Sequence, residues 1–207
     1  GFYMPVQRVC RPDHTFRGFQ GQIESGVVSV GDDIITLPSG ESAKVKSILI
    51  GDKDSQLAQE GQPATIQLDK EVDVSRGCVL SSGTTLPVSK SLTATILWMD
   101  DAELTVGKDY IVKIGTKQVL GVLKNIQYKI DVNTGNFLPA NGLSKNEIAV
   151  CDIGLQEAVI IDEFAKHKTL GELILIDRIS NMTSACGVVT DSSAYDLSLI
   201  HISEPTR

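Results

Sequence analysis

Between residues 16 and 40 the chain places glycines at Gly18, Gly21, Gly26, Gly31 and Gly40 and fills the gaps with short apolar runs such as Val27-Val28 and Ile34-Ile35. Strands are written this way when they must turn tightly and re-enter a barrel. Gly31-Asp32, set between Val28-Ser29-Val30 and Asp33-Ile34, predicts a hairpin turn, because glycine accepts the positive φ that such turns require. Leu37-Pro38-Ser39-Gly40 predicts the close of the following strand in the same manner.

The rest of the chain continues in strand language. Met4, Val6 and Arg8 alternate imperfectly with their neighbours almost from the first residue, which suggests a piece of something longer. Ala43 to Ile50 and Ala64 to Leu68 are predicted strands, and Arg76 to Ser81 is the last of a first barrel. The polar stretch Ser82-Gly83-Thr84-Thr85 then places a domain boundary near residue 87. A second barrel opens with Leu92, Ala94, Ile96 and Trp98 on one face, Trp98 being a predicted core residue.

Tyr110, Val112 and Ile114 alternate next, followed by the even-numbered series Leu120, Val122, Ile126, Tyr128 and Ile130, interrupted at Lys124. Leu173 to Ile176 is near-continuously apolar and predicts a strand buried on both faces. Helix signals are confined to one short turn around Asp162 to His167. The expected fold is therefore all-β, with two consecutive barrels at residues 1–87 and 88–191. Residues 192–207 resemble translated sequencing-adapter read-through and are expected to be a non-native or disordered tail.

Composition limits the function. The 26 acidic against 19 basic residues give a net charge of −7, so no summed positive field draws the chain to nucleic acid or anionic lipid. No apolar run reaches the ~18 residues of a membrane span, and a cytoplasmic location is expected. Cys10, Cys78, Cys151 and Cys186 are widely scattered, without C-x-x-C spacing, and are read as small core residues.

Several separated segments carry a resemblance. Pro5 to Val9, the glycine-spaced stretch and Val74 to Leu80 resemble the second domain of translation-factor-type GTPases such as elongation factor Tu. Ile96-Leu97-Trp98-Met99, Ile126 to Asn133 and Leu175 to Val189, with its Ile-Asp-Arg-Ile-Ser-Asn wording, resemble the third domain, in the branch formed by the large, GTP-binding subunit of sulfate adenylyltransferase. The resemblance covers about residues 4–190. It implies that a GTPase domain precedes Gly1 and that a small catalytic subunit is the partner. That subunit makes adenosine 5′-phosphosulfate and pyrophosphate from ATP and sulfate. It also implies GTP, ATP and magnesium for the parent complex, and leaves open whether an adenylylsulfate kinase domain follows.

For this chain itself no cofactor is expected. It has no G-x-x-x-x-G-K-[ST] phosphate loop, so GTP binding is not expected. His14, His167 and His201 lie in loops or the tail with no nucleophile or carboxylate at useful spacing, so no catalytic or metal residue is named. The partner-interface candidates are Phe16, Arg17, Phe19 and Arg178, since arginine and aromatic residues concentrate interface energy. The alternative for Phe16 and Phe19 is a role capping the barrel mouth, with Arg17 solvated. For Asp177 and Arg178, read as successive residues of a buried strand, it is a structural ion pair or carbonyl contact. Two other functions compete: the tRNA-binding barrels of a translation elongation factor-type GTPase, and a β-barrel interaction module for another partner.

Overall fold

The computed structural model describes residues 1–11 and 17–191. Residues 12–16, among them His14 and Phe16, and residues 192–207, with His201, lie outside it. The chain separates into two compact units, one spanning Gly1–Thr85 and the other beginning at Leu86.

The first unit contains β1 (Phe2–Pro5), β2 (Arg8–Cys10), β3 (Gly18–Gln22), β4 (Val27–Ser29), β5 (Asp33–Leu37), β6 (Ser42–Ile50), β7 (Lys53–Ser55), β8 (Leu57–Gln59), β9 (Pro63–Leu68) and β10 (Val79–Ser82). Antiparallel neighbours run β1-β10-β5-β6-β9-β3-β2, with β7 attached to β6 and β4 paired to β8. Since β1 and β2 are successive pieces of one stretch, the sheet closes on itself as a six-stranded barrel. Closure removes the unpaired edges that an open sheet would present. Inside, Met4, Val6, Ile23, Ile34, Ile48, Ile66 and Leu80 are fully buried.

The second unit contains β11 (Val88–Trp98), β12 (Asp109–Ile114), β13 (Lys117–Ile130), β14 (Phe137–Leu138), β15 (Ile148–Ile160), the single turn of helix α1 (Lys168–Gly171), β16 (Glu172–Ile176) and β17 (Thr183–Asp191). Neighbours run β12-β16-β17-β11-β15-β13, and β13 returns to β12, which closes a second six-stranded barrel; β14 adds to the outer end of β13. The predicted face of Leu92, Ala94, Ile96 and Trp98 is buried to within 1%. Trp98 donates its indole N–H to the Ala102 carbonyl at 2.8 Å and meets the Tyr110 ring edge-on at 5.9 Å. The fold is thus the expected all-β pair of barrels.

Several local expectations need correction. The Gly31-Asp32 turn forms, with Gly31 at φ +93° and the Asp32 carboxylate accepting the Ser29 amide at 2.8 Å. Its two flanking strands do not pair with each other. Instead β4 pairs with β8 and β5 with β6 and β10, so the turn passes the chain between strand pairs rather than joining one.

The even-numbered series in β13 does not share a face. Val119 and Leu123 point inward, and so does Ile126, while Leu120 and Val122 are only half-buried. The register against β15 shifts between Leu123 and Asn125 and again between Ile126 and Tyr128, and each extra residue inverts the alternation. In β16 only Leu173 and Leu175 are buried, because the strand faces a core on one side alone. Of the cysteines, only Cys151 is fully buried; Cys186 is exposed, and Cys10 and Cys78 are intermediate. Burial pushes the Cys151 thiol up to about 12, which leaves it inert as a nucleophile.

Candidate functional site

Arg17 precedes β3 and reaches across to the segment that leads out of β9. Its Nη1 donates to the Val72 carbonyl at 3.0 Å and to Glu71 Oε2 at 3.1 Å, and Nη2 donates to the Val74 carbonyl at 2.8 Å. The guanidinium also lies 5.3 Å from the centre of the Phe19 ring. Phe19 itself is 2% exposed and belongs to the first core. The planar fork of an arginine suits this task, since two nitrogens satisfy two carbonyls that no strand partner meets.

Arg17 is therefore bonded rather than solvated, and its aromatic neighbour faces inward. Arg17→Ala is expected to lower the stability of the first barrel by about 2 kcal/mol, because two charge-assisted bonds to part-buried carbonyls are lost. Glu71→Gln, which touches only the exposed ion pair, is expected to change it by less than about 0.5 kcal/mol. Urea unfolding of both variants distinguishes the two contributions.

Arg178 sits in the second barrel, and here the structure departs from the buried-strand reading. Strand β16 ends at Ile176, and residues 177–182 form the turn into β17. Asp177 anchors that turn. Its Oδ1 accepts the amides of Ile179 at 2.8 Å and Ser180 at 2.9 Å, and its Oδ2 accepts Lys108 Nζ at 2.9 Å. Asn181 takes the left-handed conformation, φ +59°, that asparagine tolerates in a turn. Arg178 points outward to Asp109 at 3.3 Å. On either side of the turn tip Ile179 is 93% exposed and Met182 66%.

The Ser180 amide, followed by Lys108 and the Ile179 amide, holds the Asp177 carboxyl well below the usual carboxylate range. A folded value below the unfolded one contributes stability that is complete above pH about 4 and is lost only as pH falls toward the lowered value. The amide resonances of Ile179 and Ser180 are accordingly expected to hold constant from pH 7 to below about 4. A titration centred at the ordinary aspartate value would contradict this anchoring.

The candidates are placed on different elements. Arg17 and Phe19 belong to the first barrel, Arg178 to the second, and Phe16 lies outside the described residues. His167, read as a loop residue without a carboxylate at useful spacing, places Nδ1 2.6 Å from Oδ2 of the buried Asp162 and closes the 162–167 turn. Among the described residues no group of three or more His, Cys, Asp or Glu side chains has the arrangement of a metal site. No helix among them is long and apolar enough to cross a membrane. Sequence reasoning missed Ile179 and Met182, because it placed Asp177 and Arg178 on a buried strand, although Asn181 reads as a turn residue.

Two closed six-stranded barrels in tandem define the class. The chain has the barrel fold of the translation-factor-type GTPases. A crystal structure of sup35 complexed with GDP superposes with a TM-score of 0.84 at 20% identity, covering 92% of this chain and 47% of that one. The family model of the GTP-eEF1A C-terminal domain-like group matches residues 91–190.

The sequence narrows this further. Sulfate adenylyltransferase subunit 1 of Francisella tularensis subsp. novicida is 42% identical over 189 residues, which is 91% of this chain and 40% of the relative. The subunit 1 proteins of Teredinibacter turnerae (40% identical, 93% of this chain, 42% of the relative) and Cellvibrio japonicus (38%, 92% and 40%) match similarly. The chain belongs to the sulfate adenylyltransferase subunit 1 family, of whose members it spans about 40% of the length.

Proposed function

We propose that these barrels serve a GTP-dependent sulfate adenylyltransferase, as the part of the large subunit that receives the nucleotide-dependent movement of a GTPase domain and passes it to the catalytic small subunit. The parent reaction joins ATP and sulfate to give adenosine 5′-phosphosulfate and pyrophosphate, and a cytoplasmic location, where ATP and GTP are available, is part of this reading. GTP, ATP and magnesium belong to the parent complex, and the two barrels supply no catalytic group. The observation that carries this reading is the 42% identity that runs through both barrels.

Closed barrels suit the role because they move as rigid bodies, so a rotation applied at one surface is delivered at another. Of the candidate contacts among the described residues, Arg178 is the one displayed at the surface, on a turn that also exposes Ile179 and Met182. A cation beside exposed apolar side chains is the composition that protein interfaces favour. Arg17 and Phe19 act indirectly, by holding the 71–74 segment in place. The tRNA-binding alternative is disfavoured by the net charge of −7, since phosphate backbones are bound through an excess of Lys and Arg.

The test exchanges residues 1–190 for the corresponding region of the Francisella subunit 1. The chimera, paired with its own small subunit, is expected to keep GTP-stimulated adenosine 5′-phosphosulfate synthesis within about tenfold of the parent, a difference of ~1.4 kcal/mol in barrier. Intact GTP hydrolysis with synthesis that no longer responds to GTP would reject the proposal.

A further inference from the structure

A groove of about 450 Å³ crosses the outer face of the second barrel, lined by Lys90, Leu120, Val122, Lys124, Gly154 and Gln156 among others. Its construction is specific. Strand β15 runs down the middle, and Gly154 in it pairs with Ser91 of β11 on one side and with Val122 of β13 on the other. The pairing is irregular on both sides of this glycine. The β11–β15 register shifts between Ser89 and Ser91, where Lys90 alone faces residues 155–158 of β15, and the β13 register shifts between Leu123 and Asn125, so Lys124 is an extra residue of β13. A bulge re-aims its side chain relative to the regular alternation, and bulges are over-represented next to functional sites.

Both irregularities are braced. The hydroxyl of the fully buried Ser89 donates to the Ser91 carbonyl at 2.7 Å and accepts the Ser91 amide at 3.1 Å, which fixes the backbone on either side of Lys90. Beside Lys124, the Asp152 carboxylate accepts Thr93 Oγ1 at 2.8 Å, Asn125 Nδ2 at 3.3 Å and Gln127 Nε2 at 2.9 Å, tying β11, β15 and β13 together. The missing side chain at Gly154 is equally purposeful. A Cβ there would fall 2.2 Å from Lys124 Cε and 3.0 Å from its Nζ, so the exposed lysine lies over the glycine.

The charges near the groove are already committed, apart from the two ammonium groups. Asp152 is engaged as described, Asp109, which lines the groove, is bonded to Arg178, and Glu157 pairs with Lys117 at 2.6 Å. Neither Lys90 nor Lys124 has an ion-pair partner among the described residues. The surface beneath them is apolar, made of the half-buried Leu120 and Val122.

We propose that this groove binds a small organic anion: one phosphate or sulfate group, held between Lys90 and Lys124, on a flat and largely apolar body of nucleoside size. The volume lies within the range of small-molecule sites, about 300–1,000 Å³. Two ammonium groups are point charges that suit a tetrahedral oxyanion without demanding the planar geometry of a carboxylate. Leu120 and Val122 offer the apolar surface on which a ring system rests. This site is independent of the subunit reading above, because it is argued from the second barrel alone.

The test is a nuclear magnetic resonance titration of the full chain with adenosine 5′-monophosphate, with adenosine and inorganic phosphate as the two half-ligands. Saturable shifts are expected at the Ser91, Gly121 and Gly154 amides, with Kd of about 1 mM or tighter, and each half-ligand is expected to bind at least about tenfold more weakly. Lys90→Gln and Lys124→Gln, surface changes that leave folding intact, are each expected to weaken binding by about fivefold, and the double variant to abolish saturation. Absence of saturable shifts at about 10 mM nucleotide would overturn the proposal. So would unchanged binding by the double variant. Phosphate alone binding as tightly as the nucleotide would also overturn it, by reducing the groove to a general anion contact.

Discussion

Trp98→Ala is expected to cost the second barrel about 3–5 kcal/mol, the range for truncating a large buried aromatic residue. Trp98 is 1% exposed and packs edge-on against Tyr110, and its indole N–H satisfies the Ala102 carbonyl. Truncation therefore opens a cavity and removes a ring contact and a hydrogen bond at once. Since domains are stable by only about 5–15 kcal/mol, the loss consumes a large share of the total. Trp98→Phe keeps most of the volume and drops the N–H, so a cost of about 1–2 kcal/mol is expected. The chain has one tryptophan, so unfolding is followed by circular dichroism rather than indole fluorescence. Equal stability of Trp98→Ala and the parent would mean that the side chain does not hold the barrel.

Gly21→Val is expected to be comparably severe for the first barrel. Strand β3 passes the closing stretch at this glycine, and a Cβ added there would lie 2.2 Å from the Pro5 carbonyl oxygen and 3.1 Å from Met4 Cγ. The obstacle is backbone, so relief requires β1 and β3 to separate where the barrel closes. A cost of about 3 kcal/mol follows from such overpacking. Gly40→Ala is the comparison: its φ is +78°, yet nothing lies within 4 Å, so only the left-handed backbone penalty of about 1–2 kcal/mol applies. Urea unfolding should rank Gly21→Val well below Gly40→Ala, and the reverse order would contradict closure at Gly21.

The parts of this structure legible in the sequence were those written by strict alternation. Leu92 to Trp98 follow a regular strand, and their face was read correctly. Alternation failed where the backbone inserts a residue, as at Lys124, because a bulge leaves no mark in side-chain chemistry except an interruption. The glycine-spaced stretch revealed turns but not partners: Gly31 permits a reversal, and only tertiary packing decides that β5 pairs with β6 and β10. The Asp177 turn was hidden by the apolar run before it, whose momentum suggested a continuing strand. The proposed groove was invisible for a related reason, since Lys90, Lys124 and Gly154 are 30 or more residues apart and become neighbours through register alone.

The direct measurement is association of this chain with the small catalytic subunit of a sulfate adenylyltransferase, followed by sedimentation velocity with both proteins folded and each at about 50 µM, where a Kd of ~10 µM or tighter yields mostly complex. The account predicts saturable complex formation, weakened at least about fivefold when Ile179 and Met182 are both replaced by serine, equivalent to ~1 kcal/mol at an exposed contact. Two unchanged free species across the concentration series, together with saturable binding of the same chain to aminoacyl-tRNA, would contradict it.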